Sequence, residues 1–320
     1  MNPDHPETLA RRPGHTRRKI RELRAWRAGL ILALLTALAA CGGTSPAPMS
    51  KLGIFEPGVP RSYTPVANFT AAAGVRPNLD VYYSGWYEPF RAAFAAAAAR
   101  HGAEALVQVD PAGIDLAAIA AGTYDSYLRS YAGAVRAYGH PVILSFGHEM
   151  NASWYSWGLA HTAPATFVAA WRHIVGLFRT AGASNVTWLW TVNVTGSSQA
   201  GPIAPWWPGN SYVTWVGLDG YFFQLSQTFR TLFGPTIAAV RALTGDPVLI
   251  AETGATPTAG KPAKIASLFA GAHRYGLIGF VWFDADTEQN WRVSHDPPAI
   301  AALRAGVAAY MKPVPGFARQ

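Results

Sequence analysis

From residue 51 onward, short apolar runs alternate with longer amphipathic stretches. Most of the runs are continuously apolar rather than strictly alternating, as parallel strands buried on both faces are. The runs predict eight strands: Leu52–Phe55, Leu79–Tyr83, Ala105–Val109, Val142–Phe146, Val186–Val192, Thr214–Leu218, Val248–Ala251 and Ile278–Phe283. Eight strands separated by helices predict an α/β fold, a single (β/α)8 TIM barrel, with a doubly wound sheet as the rival topology.

The stretches between the strands have apolar positions at helical spacing, and two of them have clear end signals. Thr123 is predicted to cap the start of one helix, and Gly139 to end it. Thr162 and Pro164 are predicted to open the next helix and Gly182 to close it.

The first 40 residues differ in pattern from the rest of the chain. A basic segment is followed by an apolar run over residues 30–40, which is shorter than the roughly 20 residues that a membrane-spanning helix needs. The sequence around Cys41, the only cysteine, resembles a bacterial lipobox, in which the cysteine is acylated. We therefore predict a lipoprotein signal peptide at 1–40, a flexible tether at 41–50 and one catalytic domain at 51–320.

The positive charge of the chain is concentrated in this leader. Residues 1–40 hold eight of the 26 basic side chains and three of the 18 acidic ones, so the net charge of +8 falls to +3 beyond them. No basic stripe is left to follow a phosphate backbone, and we expect no nucleic-acid partner. The expected location is the outer face of the cell envelope, with the membrane contacted through lipid on Cys41 and the protein a monomer.

Candidate catalytic groups follow from the barrel prediction, because functional side chains lie at the carboxyl ends of barrel strands. The fourth strand leads into His148 and Glu149, and the seventh ends at Glu252. Cleavage of a glycosidic bond needs one carboxyl to protonate the leaving oxygen and a second to act at the anomeric carbon. Asn193 and Asp219 end the fifth and sixth strands. Each is either a substrate contact or a structural polar group.

Residues 122–158 resemble glycoside hydrolase family 26, a family of β-mannanases, β-glucanases and β-xylanases. The matching pattern is formed by His148, Glu149, Asn151, Ala152, Ser153, Trp154, Trp157 and Gly158. The segments 208–222, 247–254 and 279–284 resemble the family's strand-six, nucleophile and strand-eight segments in the same order. The resemblance covers the predicted domain and implies a retaining hydrolase that cleaves a β-linked polysaccharide.

The resemblance also implies roles for individual residues. Glu149 is expected to be the general acid/base and Glu252 the nucleophile, with carboxyl groups roughly 5–5.5 Å apart. His148 is expected beside the acid/base, near the substrate, and Tyr221 is expected to donate a hydrogen bond to Glu252. The same family pattern makes Trp154 and Trp282 platforms for sugar rings near the cleaved bond.

One position departs from the mannanase version of the pattern. Where those enzymes carry arginine three residues before the histidine, this chain has Ser145, which puts mannan in doubt as the substrate and makes β-glucans the first alternative to test. Trp206 and Trp207 are either distal sugar platforms or packing residues, and Trp291 is a subsite candidate.

Two other classes of function are compatible with the sequence. A sugar-binding envelope lipoprotein captures glycans without cleaving them, and an inactive barrel binds polysaccharide in the same way. A zinc hydrolase is disfavoured because the segment after His148 lacks the second histidine of a helical H-E-x-x-H site. The sequence predicts no cofactor.

Overall fold

The computed structural model describes residues 49–196 and 198–311, and within them eight parallel strands close into a barrel. The strands are β1 (Lys51–Phe55), β2 (Leu79–Gly85), β3 (Glu104–Asp110), β4 (Val142–Phe146), β5 (Val186–Asn193), β6 (Trp215–Asp219), β7 (Val248–Thr253) and β8 (Gly279–Phe283). Each strand pairs with the next, and β8 pairs with β1. All eight predicted strands are present, and the predicted barrel is confirmed. A further short strand, Pro57–Pro60, lies outside the closed sheet.

Helices cover the outside of the barrel. They are α1 (Thr64–Ala73), α2 (Ala92–Arg100), α3 (Leu116–Ala120), α4 (Asp125–Tyr138), α5 (Pro164–Thr180), α6 (Phe229–Leu243), α7 (Lys261–Arg274) and α8 (Pro297–Tyr310). The β3–β4 connection holds two of them, whereas the described part of the β5–β6 connection has one turn of 3-10 helix, Ala204–Trp206. A second such turn, Pro257–Ala259, precedes α7. This uneven covering leaves a long irregular loop after β5, on the side of the barrel where the acid/base candidate lies.

The predicted helix ends are mostly confirmed. Gly139 ends α4 in a left-handed conformation, and Pro164 is the first residue of α5. Gly182 is also left-handed, and the next residue, Ala183, returns a hydrogen bond to the carbonyl of Phe178. The predicted Thr123 cap is wrong, because α4 begins after Tyr124 without a side-chain cap.

Strand side chains alternate between two apolar groups. The inner group fills the lower barrel with Leu79, Val81, Leu106, Ile143, Leu189, Leu249, Ala251 and Val281. The intervening strand residues pack against the helices in one larger core that also contains Trp171, Trp190 and Phe280. The strands are therefore apolar on both faces, which is why they read as continuous runs in the sequence.

The packed unit includes residues that the sequence assigned to the tether. Met49 is buried, and its N–H donates to the carbonyl of Tyr310 at 3.0 Å, while Ser50 donates to Ile278. At these two positions the tether prediction is wrong. The predicted signal peptide and Cys41 lie outside the described residues. Among residues 49–196 and 198–311, no helix has the length and apolar character needed to cross a bilayer.

Candidate active site

The backbone after β4 turns sharply to present Glu149. Gly147 and Glu149 both have left-handed conformations, with φ of 55° and 54°. This conformation costs a residue other than glycine about 1–2 kcal/mol, so other contacts must hold it. One of them is the hydrogen bond from the Glu149 N–H to the carbonyl of Thr191 on β5, at 3.0 Å. Backbone strain of this kind is typical of functional positions.

The carboxylate of Glu149 is buried and accepts a hydrogen bond on each oxygen. Trp154 Nε1 donates to Oε2 at 2.8 Å, and Asn193 Nδ2 donates to Oε1 at 2.6 Å. Asn193 is held in turn by the side chain of Asn151, which bonds both its N–H and its carbonyl. Two residues predicted for the site, Trp154 and Asn193, are therefore in direct contact with Glu149.

Glu252 lies at the end of β7 and is also buried. Its carboxylate accepts hydrogen bonds from two tyrosines, Tyr83 on β2 at 2.5 Å and Tyr221 after β6 at 2.9 Å. Its backbone carbonyl accepts from the N–H of Gly220 at 3.1 Å. The predicted contact between Tyr221 and Glu252 is present, and Tyr83 makes a second contact of the same kind.

Opposing effects set the pKa of Glu252. Burial raises its pKa to about 7, and the negative charge of Glu149 also acts to raise it. The charge of His148 and the hydrogen bonds from Tyr83 and Tyr221 act in the opposite direction and favour the ionised form. These groups therefore favour the ionised carboxylate of Glu252 near neutral pH.

Both ring nitrogens of His148 face polar atoms. Nδ1 lies 3.0 Å from Oδ1 of Asp110, and Nε2 lies 3.1 Å from the hydroxyl of Tyr155 and 3.9 Å from Oε1 of Glu252. Burial alone lowers the pKa of His148, but the carboxylate of Asp110, with the charges of Glu252 and Glu149, raises it to about 9. The ring is thus an imidazolium at neutral pH and supplies positive charge next to Glu252.

Asp219, at the end of β6, lies close to both glutamates but makes no well-formed side-chain hydrogen bond among the described residues. Burial, together with the charges of Glu252 and Glu149, raises its pKa well above the usual range, although the nearby N–H of Glu252 favours the charged form. The structure therefore favours the neutral, protonated form of Asp219 beside Glu252.

A cleft of about 940 Å³ opens beside Glu149. Trp154, which is 41% exposed, and Tyr221 line it together with residues from the loops after β5 and β6. Its walls contain both aromatic and polar side chains, as sites for polar ligands with apolar faces do.

The prediction for Trp282 needs correction. Trp282 is 2% exposed, belongs to the outer core, and donates its Nε1 hydrogen bond to the carbonyl of Trp291. Alternation along β8 instead turns Phe283 inward, where it stacks on Phe55 with ring centroids 4.6 Å apart. Trp282 therefore cannot offer a ring face to a sugar in this structure.

Other tryptophans also prove to be packing residues. Trp206 is buried against Phe167, and Trp207 packs against Trp190. Trp291 is buried beside Tyr221, with ring centroids 4.7 Å apart, and so supports a residue that bonds Glu252. The alternative of packing, which the sequence left open for Trp206 and Trp207, is the one that the structure supports.

Sequence reasoning did not identify Tyr83, Asp110 or Tyr155. Tyr83 ends a predicted strand, and Asp110 directly follows one, so the strand-end rule applied to β4 and β7 points to both. Tyr155 occupies an unspecified position within the family pattern and stacks on Trp157, whose Nε1 donates to the carbonyl of His148. Trp157 therefore supports the histidine instead of lining the cleft.

Ser145 lies inside the barrel, below the cleft. Its hydroxyl is 3.2 Å from that of Thr191, and it is aligned with Gln108 on the neighbouring strand. Any effect of this position on the substrate must therefore be transmitted through the residues above it. No group of three potential metal ligands occurs within residues 49–196 and 198–311.

Comparison with known proteins gives one family match and relatives that resemble part of the chain. Residues 126–255 match the model of glycosyl hydrolase family 26. Endoglucanase H of Acetivibrio thermocellus is 29% identical over 238 residues, which cover 70% of this chain and 26% of that protein. Beta-1,3-xylanase TXYA of a Vibrio species is 28% identical over 105 residues, covering 32% of this chain and 22% of that one. The chain thus spans about a quarter of the length of these relatives.

Solved structures show the same fold at low sequence identity. An endo-beta-1,4-mannanase double mutant from Cellulomonas fimi superimposes with a TM-score of 0.64 at 16% identity, covering 82% of this chain and 71% of that one. The Bacillus subtilis mannanase man26 gives 0.62 at 15% identity, covering 84% and 86%.

Proposed function

Since residues 126–255 match the model of glycosyl hydrolase family 26, we propose that the chain is a member of this family and a retaining, endo-acting hydrolase of a β-linked polysaccharide. The observation that carries this proposal is the pair of buried carboxylates at the ends of β4 and β7. Each accepts two hydrogen bonds, Glu149 from Trp154 and Asn193, and Glu252 from two tyrosines. A binding module has no need of two buried carboxylates held in this way.

In the first step, a carboxylate oxygen of Glu252 bonds to the anomeric carbon while Glu149 gives its proton to the glycosidic oxygen, and the carbon–oxygen bond breaks. The leaving sugar departs with its new hydroxyl, and the remaining sugar is esterified to Glu252. In the second step, ionised Glu149 takes a proton from water as the water oxygen attacks the same carbon and releases Glu252. Two inversions at that carbon give retention.

The neighbouring residues support each role. Tyr83 and Tyr221 fix the direction of the Glu252 carboxylate, and His148 supplies positive charge that favours its ionised state. On the other side, Asn193 and Trp154 fix the carboxyl group of Glu149. Positioning of this kind reduces the reorganisation needed at the moment of reaction.

We propose β-glucans as the first substrates to test. The likeness to an endoglucanase supports this choice, and so does Ser145 in place of the arginine of the mannanase pattern. We expect weak or no activity on unbranched β-1,4-mannan. Ser145→Arg alone is not expected to create an efficient mannanase, because Thr191 and Gln108 do not form a shell that orients a guanidinium. Strong wild-type hydrolysis of linear mannan would show that this position does not select the sugar.

The test is a reducing-sugar assay on a panel of β-glucans, β-mannan and β-xylan, comparing the wild-type chain with Glu149→Ala. Release of reducing ends that depends on Glu149 supports the proposal. Binding of the same glycans by both proteins without release by either would instead indicate a non-catalytic polysaccharide-binding protein.

We also propose that the chain is a lipid-anchored envelope protein acylated at Cys41. The basic segment, the apolar run and the single cysteine support this proposal. The wild-type protein, expressed in a bacterium with a fatty-acid probe, should be labelled and should partition into detergent, whereas Cys41→Ser should do neither. Equal labelling of the two proteins would indicate that the segment before Cys41 is a secretory signal without lipidation.

A further inference from the structure

Phe223 is an exposed aromatic residue whose position the catalytic pair does not explain. It lies in the loop between β6 and α6, residues 220–228, and is 51% exposed. Leu225 in the same loop is 73% exposed. Large apolar side chains in solvent contribute little to the stability of a fold, and grouped ones are typical of binding surfaces.

Side chains from within and outside the loop hold its backbone. The Oε1 atom of Gln227 accepts from the N–H groups of Phe223 and Gln224, at 2.7 and 2.9 Å. The buried ammonium of Lys264 donates to the carbonyls of Leu225, at 2.8 Å, and of Gln227. Thr256 donates from its hydroxyl to the carbonyl of Phe223 at 3.1 Å. The loop is thus a fixed support, and the exposure of Phe223 is a feature of its folded form.

Phe223 lines the same cleft as Glu149 and Trp154. Of the two proposed catalytic carboxylates, Glu149 lies in the described walls of this cleft and Glu252 does not. A general acid protonates the oxygen of the leaving group, so the leaving part of a bound chain must lie on the side of Glu149. The cleft therefore extends along the part of the glycan that departs after cleavage.

The walls around Phe223 combine one apolar ring with polar groups. Gln227, Thr231 and Glu288 line the cleft together with it. A sugar ring presents C–H groups on its faces and hydroxyls at its edge, so a flat aromatic surface flanked by hydrogen-bonding side chains matches it. Phe223 also packs edge-on against Trp291, with ring centroids 5.5 Å apart and planes at 82°, which fixes the direction of its ring.

We propose that Phe223 is a platform for a sugar unit of the leaving-group part of the polysaccharide, beyond the unit that contacts Trp154. This inference rests on the proposed hydrolase function and makes it more specific. It assigns several sugar-binding positions to the leaving-group side, so long glycans should be preferred over short ones and cleaved away from their reducing ends.

The test uses a hexasaccharide cut from the β-glucan that the wild-type chain hydrolyses, together with an aryl β-glycoside that has no sugar in the leaving group. Phe223→Ala should lower the ratio of kcat/KM for the hexasaccharide to kcat/KM for the aryl glycoside by on the order of tenfold. It should also move the main cut toward the reducing end, because a leaving fragment of several units is no longer favoured. Phe223→Trp should restore both properties.

Leu225→Ala is the matched control, since Leu225 is an exposed apolar residue of the same loop whose side chain does not line the cleft. It should leave the ratio and the cut position at wild-type values. Equal changes from Leu225→Ala and Phe223→Ala, or an unchanged cut position in a folded Phe223→Ala protein, would overturn the inference. A wild-type chain that cleaves no β-glycan would instead overturn the proposed function itself.

Discussion

The lower barrel and its mouth are built from the same eight strands, yet their interiors differ completely. Below, inward side chains such as Leu106, Ile143 and Leu189 form an apolar layer. Above, the ends of β2 to β7 place Tyr83, Asp110, Asn193, Asp219 and Glu252 inside or around the opening. The two layers are only a few residues apart along each strand.

This difference shows where stability and chemistry are separated in the molecule. Burial of the apolar layer stabilises the folded state by roughly 25 cal/mol for each Å² of apolar surface removed from water. The upper layer instead buries groups that prefer water, and burial raises the pKa values of Glu252 and Asp219 as a result. A site of this kind is stabilised by the packed layer beneath it and is itself a net cost to folding.

The largest effect is expected at Glu252. Glu252→Ala removes the proposed nucleophile, so kcat/KM should fall by at least about a thousandfold while the fold is retained. A mechanism-based fluoro-sugar should label the wild-type protein but not this variant, as read by mass spectrometry.

Glu149→Ala provides the contrast. This variant should still react with aryl glycosides that have good leaving groups, because these need no protonation, and should then stall as the glycosyl-enzyme. Azide should release a glycosyl azide of retained configuration. If azide gave the same product with Glu149→Ala and with Glu252→Ala, the two roles would be misassigned.

In the lower layer the effect should fall on stability alone. Leu189→Ala should reduce the free energy of unfolding by about 2–5 kcal/mol, because the truncated side chain leaves a cavity in a packed interior. Urea unfolding measures this loss, and kcat/KM assayed well below Tm should stay within about twofold of the wild-type value. A large loss of activity in the folded variant would show that the two layers are not separable.

A smaller effect is expected on the pH dependence. The proposed mechanism requires ionised Glu252, so kcat/KM should fall as the pH drops through about 7. Tyr83→Phe removes a donor that lowers this pKa, so the acid limb of the profile should move to higher pH and the loss should be greater at pH 6 than at pH 8.

Tyr82→Phe is the control for this change, because Tyr82 is the preceding residue of β2 and packs among the helices. It removes a tyrosine hydroxyl from the opposite face of the strand and should leave the acid limb of the pH profile unchanged. An equal shift from both variants would point to a general effect on the strand.

The smallest effect is expected at Asp219. The folded protein holds the proton of this carboxyl to higher pH than the unfolded chain does, so its contribution to stability declines as the pH rises above about 4. Asp219→Asn removes this dependence. The variant should be more stable than the wild type by about 1 kcal/mol at pH 8 and by less at pH 5, as measured by thermal unfolding at both values. A destabilised variant at pH 8 would show that the charged carboxylate is needed.

The sequence by itself determined the barrel and identified the two carboxylates of the candidate site. Continuous apolar runs separated by helices specify buried parallel strands, and the strand-end rule with the family pattern singled out Glu149 and Glu252. Neighbours within a few residues, such as Trp154 with Glu149, also follow from the local pattern because the turn after β4 brings them together.

Only the tertiary structure decided which distant residues meet and which face a side chain takes. Tyr83 and Glu252 are 169 positions apart and meet because the closing of the barrel brings β2 and β7 to a common opening. In strands that are apolar on both faces, the sequence does not show which side chains face the barrel interior. Trp282 and Phe283 could therefore not be distinguished until the strand register placed one outward and the other inward. The loop that carries Phe223 is likewise held at Leu225 and Gln227 by Lys264 from α7, a contact that is set by helix packing and not by local sequence.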